Sequence, residues 1–117
     1  MARYSSLRWD IIAILKSGDV RVYLKVYHVD EEALVAVCDE GLLEKEFSEG
    51  DVHLKVSKNF YGEEHADYDE VASALGEATI ANLVGKQSVA CAVENGFVDA
   101  KDVIFIEGVP HVQMVCM

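Results

Sequence analysis

Residues 67–97 read Asp-Tyr-Asp-Glu-Val-Ala-Ser-Ala-Leu-Gly-Glu-Ala-Thr-Ile-Ala-Asn-Leu-Val-Gly-Lys-Gln-Ser-Val-Ala-Cys-Ala-Val-Glu-Asn-Gly-Phe, and the rest of the chain is organised around them. Asp67 followed by Glu70 is a capping box with Asp in the Ser/Thr place, so a helix starts here. Asn95-Gly96 supplies a left-handed C-terminal residue, and Phe97 stands where a Schellman motif makes its apolar contact. The stretch therefore reads as helix, in up to three pieces. At about 100° per residue, Val71, Leu75, Ala78, Asn82, Gly85, Val89 and Val93 share one face. Ile80, Val84 and Cys91 fall on the opposite face. Apolar residues on both sides mean either a buried helix or a broken one. Gly76 and Gly85 are the candidate breaks, with Gly85 favoured.

Outward from this stretch, strand patterns dominate. Residues 20–29 alternate Val20, Val22, Leu24 and Val26 with Arg21, Tyr23, Lys25 and Tyr27. Asp30-Glu31-Glu32 reads as a turn. Residues 33–38 are apolar on both faces, which makes them a central strand and the second arm of a hairpin. Asp39 is placed to cap a short helical turn that includes Leu42 and Leu43 and ends near Phe47. Residues 48–51 read as a turn, and residues 52–57 as a third strand with one wet face. Residues 58–66 read as a loop loaded with Phe60, Tyr61, Gly62, Glu63, Glu64 and His65. Beyond Phe97, residues 103–106 and 109–117 form two strands around a tight turn at Glu107-Gly108. At the other end, Leu7, Ile11, Ile14 and Leu15 fit helical spacing. Residues 11–15 fit a short strand as well, since periodicity does not settle so short a run.

These elements give an α+β fold: a two-layer, mainly antiparallel sheet with helices packed on one face. Residues 1–20 read as an N-terminal extension and residues 21–117 as a single domain. A homodimer would be one way to cover the open sheet face and edges.

The chain has 117 residues and a formal net charge of -11, with 51% hydrophobic residues and one proline. Disorder is excluded by that apolar content. The charge argues against direct binding to a nucleic-acid backbone without a partner protein, and against an anionic membrane surface. No stretch is apolar and long enough to span a bilayer, and no signal-peptide cleavage pattern is present. Cys38, Cys91 and Cys116 form no C-x-x-C pair and stand among apolar neighbours. They read as buried free thiols of a cytoplasmic protein.

Four stretches carry a family resemblance. They are residues 36–47 (Ala-Val-Cys-Asp-Glu-Gly-Leu-Leu-Glu-Lys-Glu-Phe), residues 59–64 (Asn-Phe-Tyr-Gly-Glu-Glu), residues 78–85 (Ala-Thr-Ile-Ala-Asn-Leu-Val-Gly) and residues 108–113 (Gly-Val-Pro-His-Val-Gln). Together the chain resembles the archaeal domain-of-unknown-function family number four hundred and twenty-four, over residues 22–115. The resemblance implies no established activity. It implies an association with translation, through the family's gene neighbourhoods.

No catalytic signature is present: no phosphate-binding glycine loop, no G-x-S-x-G, no metal spacing among His28, His53, His65 and His111. No metal and no cofactor is expected. His28 and His53 read as solvated strand residues. Asn82 is out of place on an apolar face. It either locks a neighbouring loop through backbone bonds or faces a ligand. Thr79 reads as bonding a carbonyl one turn back. Strand alternation sets His111 and Gln113 on one face, opposite Val112 and Met114. Residues 59–64, 79–85 and 108–113 are expected to converge. Tyr61 would then be a stacking wall, Asn82 and Gln113 amide readers, and His111 a donor or proton carrier. The competing account is a buried polar clamp with no ligand. Three function classes follow: a protein-binding module acting with translation or RNA-processing proteins, a small enzyme using His111 with Asp39 or Glu63 as assisting carboxylate, or a structural subunit of a larger complex.

Overall fold

The computed structural model describes residues 21–115. The expectations for residues 1–20, for Cys116 and for Met117 lie outside the described residues. The chain folds as an α+β domain. Its order is β1 (Val22–Val29), β2 (Glu32–Asp39), a 3-10 turn (Glu40–Leu42), β3 (Glu46–Glu49), β4 (Val52–Lys55), α1 (Lys58–Tyr61), β5 (His65–Ala66), α2 (Tyr68–Glu77), β6 (Ile80–Val84), α3 (Lys86–Glu94), a second 3-10 turn (Ala100–Asp102), β7 (Ile104–Ile106) and β8 (Val109–Val115). The main sheet has six strands in the order β5-β1-β2-β6-β8-β7, and β3-β4 forms a separate hairpin. Among the described residues only β2 and β6 run parallel, and every other pairing is antiparallel.

The signals at the ends of elements hold. Asp67 accepts from Glu70 N–H at 2.9 Å and the Glu70 carboxylate accepts from Asp67 N–H at 3.0 Å, completing the capping box. After α3, Phe97 N–H donates to Ala92 C=O and Gly96 N–H to Val93 C=O, the bond pair of a Schellman motif around Gly96 at φ +75°. The Glu107-Gly108 turn joining β7 and β8 has positive φ at both residues, which matches strand twist.

Alternation sends the two sheet faces into different surroundings. Val35, Val37, Ala81, Leu83, Val112 and Met114 pack against Val71 and Leu75 of α2 and Val89 and Ala92 of α3. On the opposite face Ala36, Cys38 and Val84 pack with Tyr61 of α1, Val56, and the half-buried Leu42, Leu43, Phe47 and Leu54. The two longer helices thus share one face, and the hairpin with α1 covers part of the other. β2 is internal as expected, with Val35 to Cys38 at 0–1% exposure. Burial pushes the Cys38 and Cys91 thiols up to about 12, so both are inert at neutral pH.

Four local expectations are corrected. The helical reading of residues 67–97 fails at Ile80–Val84, which is strand β6. Bonded to β2 on one side and β8 on the other, β6 is an internal strand that buries Ala81 and Leu83 against α2 and α3 and Val84 on the opposite face. That explains apolar residues on two sides without a helix, and it outweighs a weak local propensity. Thr79 therefore does not bond one turn back. Its Oγ1 accepts from Ala33 N–H at 2.9 Å and donates to Ala33 C=O at 3.2 Å, tying β6 to the start of β2. Asp39 does not cap the turn that follows it. Phe47 lies in β3, so the third strand pairs in a small hairpin rather than in the main sheet. Pro110 lies in β8, an internal strand of the main sheet. Its position opposite Phe105, beyond the last β6 pair at His111, asks for no N–H in either ladder.

Candidate functional site

The face of the sheet opposite α2 and α3 is built in cross-strand rows. Tyr27, Leu34, Ile80 and Val115 are register partners across β1, β2, β6 and β8. The next row is Lys25, Ala36, Asn82 and Gln113, and the next Tyr23, Cys38, Val84, His111 and Ile104. The hairpin and α1 cover the third row most fully. The first two rows stay more open toward β6 and β8, where Val115 is 68% exposed and Ile80 and Asn82 are half-buried, whereas Ala36 is buried and Tyr27 is stacked on Phe60.

Asn82, His111 and Gln113 are thus brought onto one face of two neighbouring strands. Gln113 Nε2 donates to Asn82 Oδ1 at 2.8 Å. Among the described residues the Asn82 amide donors and the Gln113 carbonyl take no further partner, which lets them meet another main chain. Asn82 bonds a side chain here, where a lock on loop backbone was one expectation. His111 Nδ1 lies 2.9 Å from Leu83 C=O. A carbonyl only accepts, so Nδ1 carries a proton and donates it to this bond.

Tyr61 is placed differently. At 3% exposure it lies in the layer that covers this face, packed onto Ala36, Cys38 and Val84 and edge-on to Phe60 at 4.9 Å. Burial pushes its phenol well up. It is core rather than a wall open to a ligand, and Phe60 stacks on Tyr27 at 5.8 Å instead. The three expected segments do meet, since Tyr61, Val84 and Val109 belong to one cluster. Neither carboxylate proposed to assist His111 reaches it. Glu63 pairs with Lys58 at 2.9 Å, and Asp39 is engaged elsewhere.

Asp39 is the residue whose role the sequence hid. Its carboxylate accepts from Gln87 N–H at 3.1 Å, Ser88 N–H at 2.9 Å and Ser88 Oγ at 2.9 Å. It caps α3 from the end of β2. Burial raises its pKa, while these donors hold it down. Gly85 makes the approach possible: its φ is +107°, and a Cβ there would lie 2.3 Å from the Asp39 carboxyl carbon. A cleft of about 260 Å³ opens beside them, lined by Leu42, Gly85, Lys86, Gly108 and Pro110. It lies at the carboxyl ends of the parallel pair β2 and β6. The sequence signal for it was an apolar run, Ile80 to Val84, ending in glycine just before a helix.

Two of the remaining histidines, His65 and His53, make surface pairs. His65 Nε2 lies 2.6 Å from Glu40, with its ring stacked on Tyr23 at 4.6 Å. His53 bridges Ser48 Oγ at 2.7 Å and Glu46 at 3.2 Å. That set has the connectivity of a nucleophile, base and acid, but it is solvent-exposed. The Ser48 N–H, the nearest oxyanion donor, is taken by Glu107 at 2.7 Å. No group of metal ligands occurs among the described residues. Nor is any helix among them long and apolar enough to cross a membrane.

The family described as a protein of unknown function, DUF424, matches residues 27–117. The crystal structure of an uncharacterized conserved protein from Methanopyrus kandleri superposes with a TM-score of 0.68 at 27% sequence identity, covering 81% of this chain and 90% of that one. No curated protein matches the chain.

Proposed function

We propose that this chain, which belongs to the DUF424 family, is a small protein-binding module that recognises its partner with the open part of the sheet face opposite α2 and α3. The reading rests on one observation: the Gln113–Asn82 amide pair sits beside the apolar row Leu34, Ile80 and Val115 on the open part of that face. Apolar contact area with a few oriented amides is the composition of a protein interface core. His111 borders the surface as a hydrogen-bonding group. Tyr61 packs in the layer that covers the neighbouring part of the same face.

The partner is a protein acting in translation or RNA processing, a choice supported by the association that the family resemblance implies. The formal net charge of -11 speaks against the chain itself gripping a nucleic-acid backbone. An enzyme built on His111 has less support, because no carboxylate bonds its ring.

The test is affinity capture from a native extract with the wild type and with the Asn82→Ala/Gln113→Ala double variant. The wild type retains a defined protein partner. The double variant loses it while its melting temperature shifts by no more than about 4 °C, because a partly exposed side-chain hydrogen bond contributes about 1 kcal/mol or less. A double variant that still holds the partner refutes this face as the interface.

A further inference from the structure

We propose that the outer edge of β1 is a second docking site, at which an extended, Lys- or Arg-bearing segment of a partner protein adds to the sheet as a strand beside Val26 and His28. β5 pairs with β1 at Val22 and Tyr23 alone, and Glu64 C=O takes the Leu24 N–H at 3.0 Å. Main-chain groups in an antiparallel ladder point alternately to either side. Leu24 points to the β5 side, so Val26 and His28 point the same way, past the end of β5. Among the described residues no strand lies there. Residues 26–29 span roughly 13 Å at about 3.3 Å per residue, room for a short added strand. Val26 is 42% and Val29 61% exposed, an uncommon state for apolar residues on an unprotected edge.

Grooves flank this edge on both faces. On the helix side a groove of about 760 Å³ has Leu24, Val26 and Val35 as its floor and Asp69, Glu70 and Glu77 of α2 as its wall. On the other side one of about 640 Å³ lies between Lys25 and residues Asn59, Gly62 and Glu64. Side chains of an added strand would alternate between the two.

The wall defines the occupant. The Glu70 carboxylate is held by Asp67 N–H. Asp69 and Glu77 have no basic partner among the described residues. A long basic side chain lays its apolar stem on the floor and its cation against these acids. A second copy joined edge to edge would bring two α2 helices onto the same sheet face and oppose their acids. Charge therefore favours a basic partner over self-association.

The probe is a short synthetic peptide of alternating valine and lysine, added to the full chain, with a valine–glutamate peptide as control. The lysine peptide slows amide hydrogen exchange at Val26 and His28, and the glutamate peptide does not. The Asp69→Asn/Glu77→Gln double variant weakens lysine-peptide binding about fivefold, the loss of two partly exposed ion pairs. Val26→Pro abolishes binding, because it removes an N–H that faces outward while leaving the β2 ladder intact. If Val26→Pro lowers the melting temperature, the double variant on the exposed face of α2 carries the test alone. Absence of protection at Val26 and His28, or equal binding of both peptides, overturns the proposal. So do amides already protected in the unliganded monomer, which would mean that the chain covers its own edge. So does a dimer that Val26→Pro dissociates. The Asn82→Ala/Gln113→Ala variant keeps peptide binding, so failure here is distinct from failure at the sheet face.

Discussion

Asp39 shows how one side chain joins distant parts of the chain. A carboxylate that caps a helix more than forty residues away meets three donors there, but it is shielded from water. Asp39→Ala leaves the Gln87 and Ser88 N–H groups without their acceptor. We expect a loss of about 2 kcal/mol in urea unfolding, more than an exposed cap would cost. The pH dependence has a definite sign. With its pKa raised in the folded state, Asp39 holds its proton more tightly when folded. The domain therefore loses stability as pH rises from about 4, the unfolded value, through the raised folded value, and levels off above it. Asp39→Asn lacks this slope. A wild type and an Asp39→Asn variant with parallel stability–pH curves would contradict the assignment.

At the scale of elements, the break between β6 and α3 depends on Gly85. Any side chain there faces both a left-handed backbone and the Asp39 carboxyl group. Gly85→Ala should cost about 3 kcal/mol, combining backbone strain with overpacking. Gly50, at φ +62° in the β3–β4 turn, has open space around it. Gly50→Ala should cost only about 1 kcal/mol, the strain alone. Urea midpoints of the two variants compare the effects, and equal losses would remove the steric role of Asp39. The termini of α2 and α3 were legible because caps are written within a few residues: Asp67 with Glu70, and Asn95 with Gly96 and Phe97. β6 was not, because Ala, Leu, Ile and Val at that length suit a buried strand and a buried helix alike. Only its two neighbours decide.

For the whole molecule, a formal net charge of -11 makes the folded state repel itself. Raising NaCl from about 0.02 M to about 0.5 M shortens the screening length severalfold and should raise the melting temperature by a few degrees. A flat or falling curve would mean that the acids are offset locally by pairs such as Lys58–Glu63 and His65–Glu40. The sequence by itself determined the α+β class, the hairpin of β1 and β2, the internal place of β2, the β7–β8 turn and the shared face of His111 and Gln113. Each of these follows from period-two alternation, two-sided apolarity or turn chemistry within a short window. The tertiary structure alone decided the rest. It paired β2 with β6 in parallel, moved Asn82 from a helix to a strand beside Gln113, buried Tyr61 and turned Asp39 toward α3. These outcomes depend on which distant segment fills each side of a strand. Hydrogen bonds and burial between segments dozens of residues apart settle that, and no local pattern encodes it.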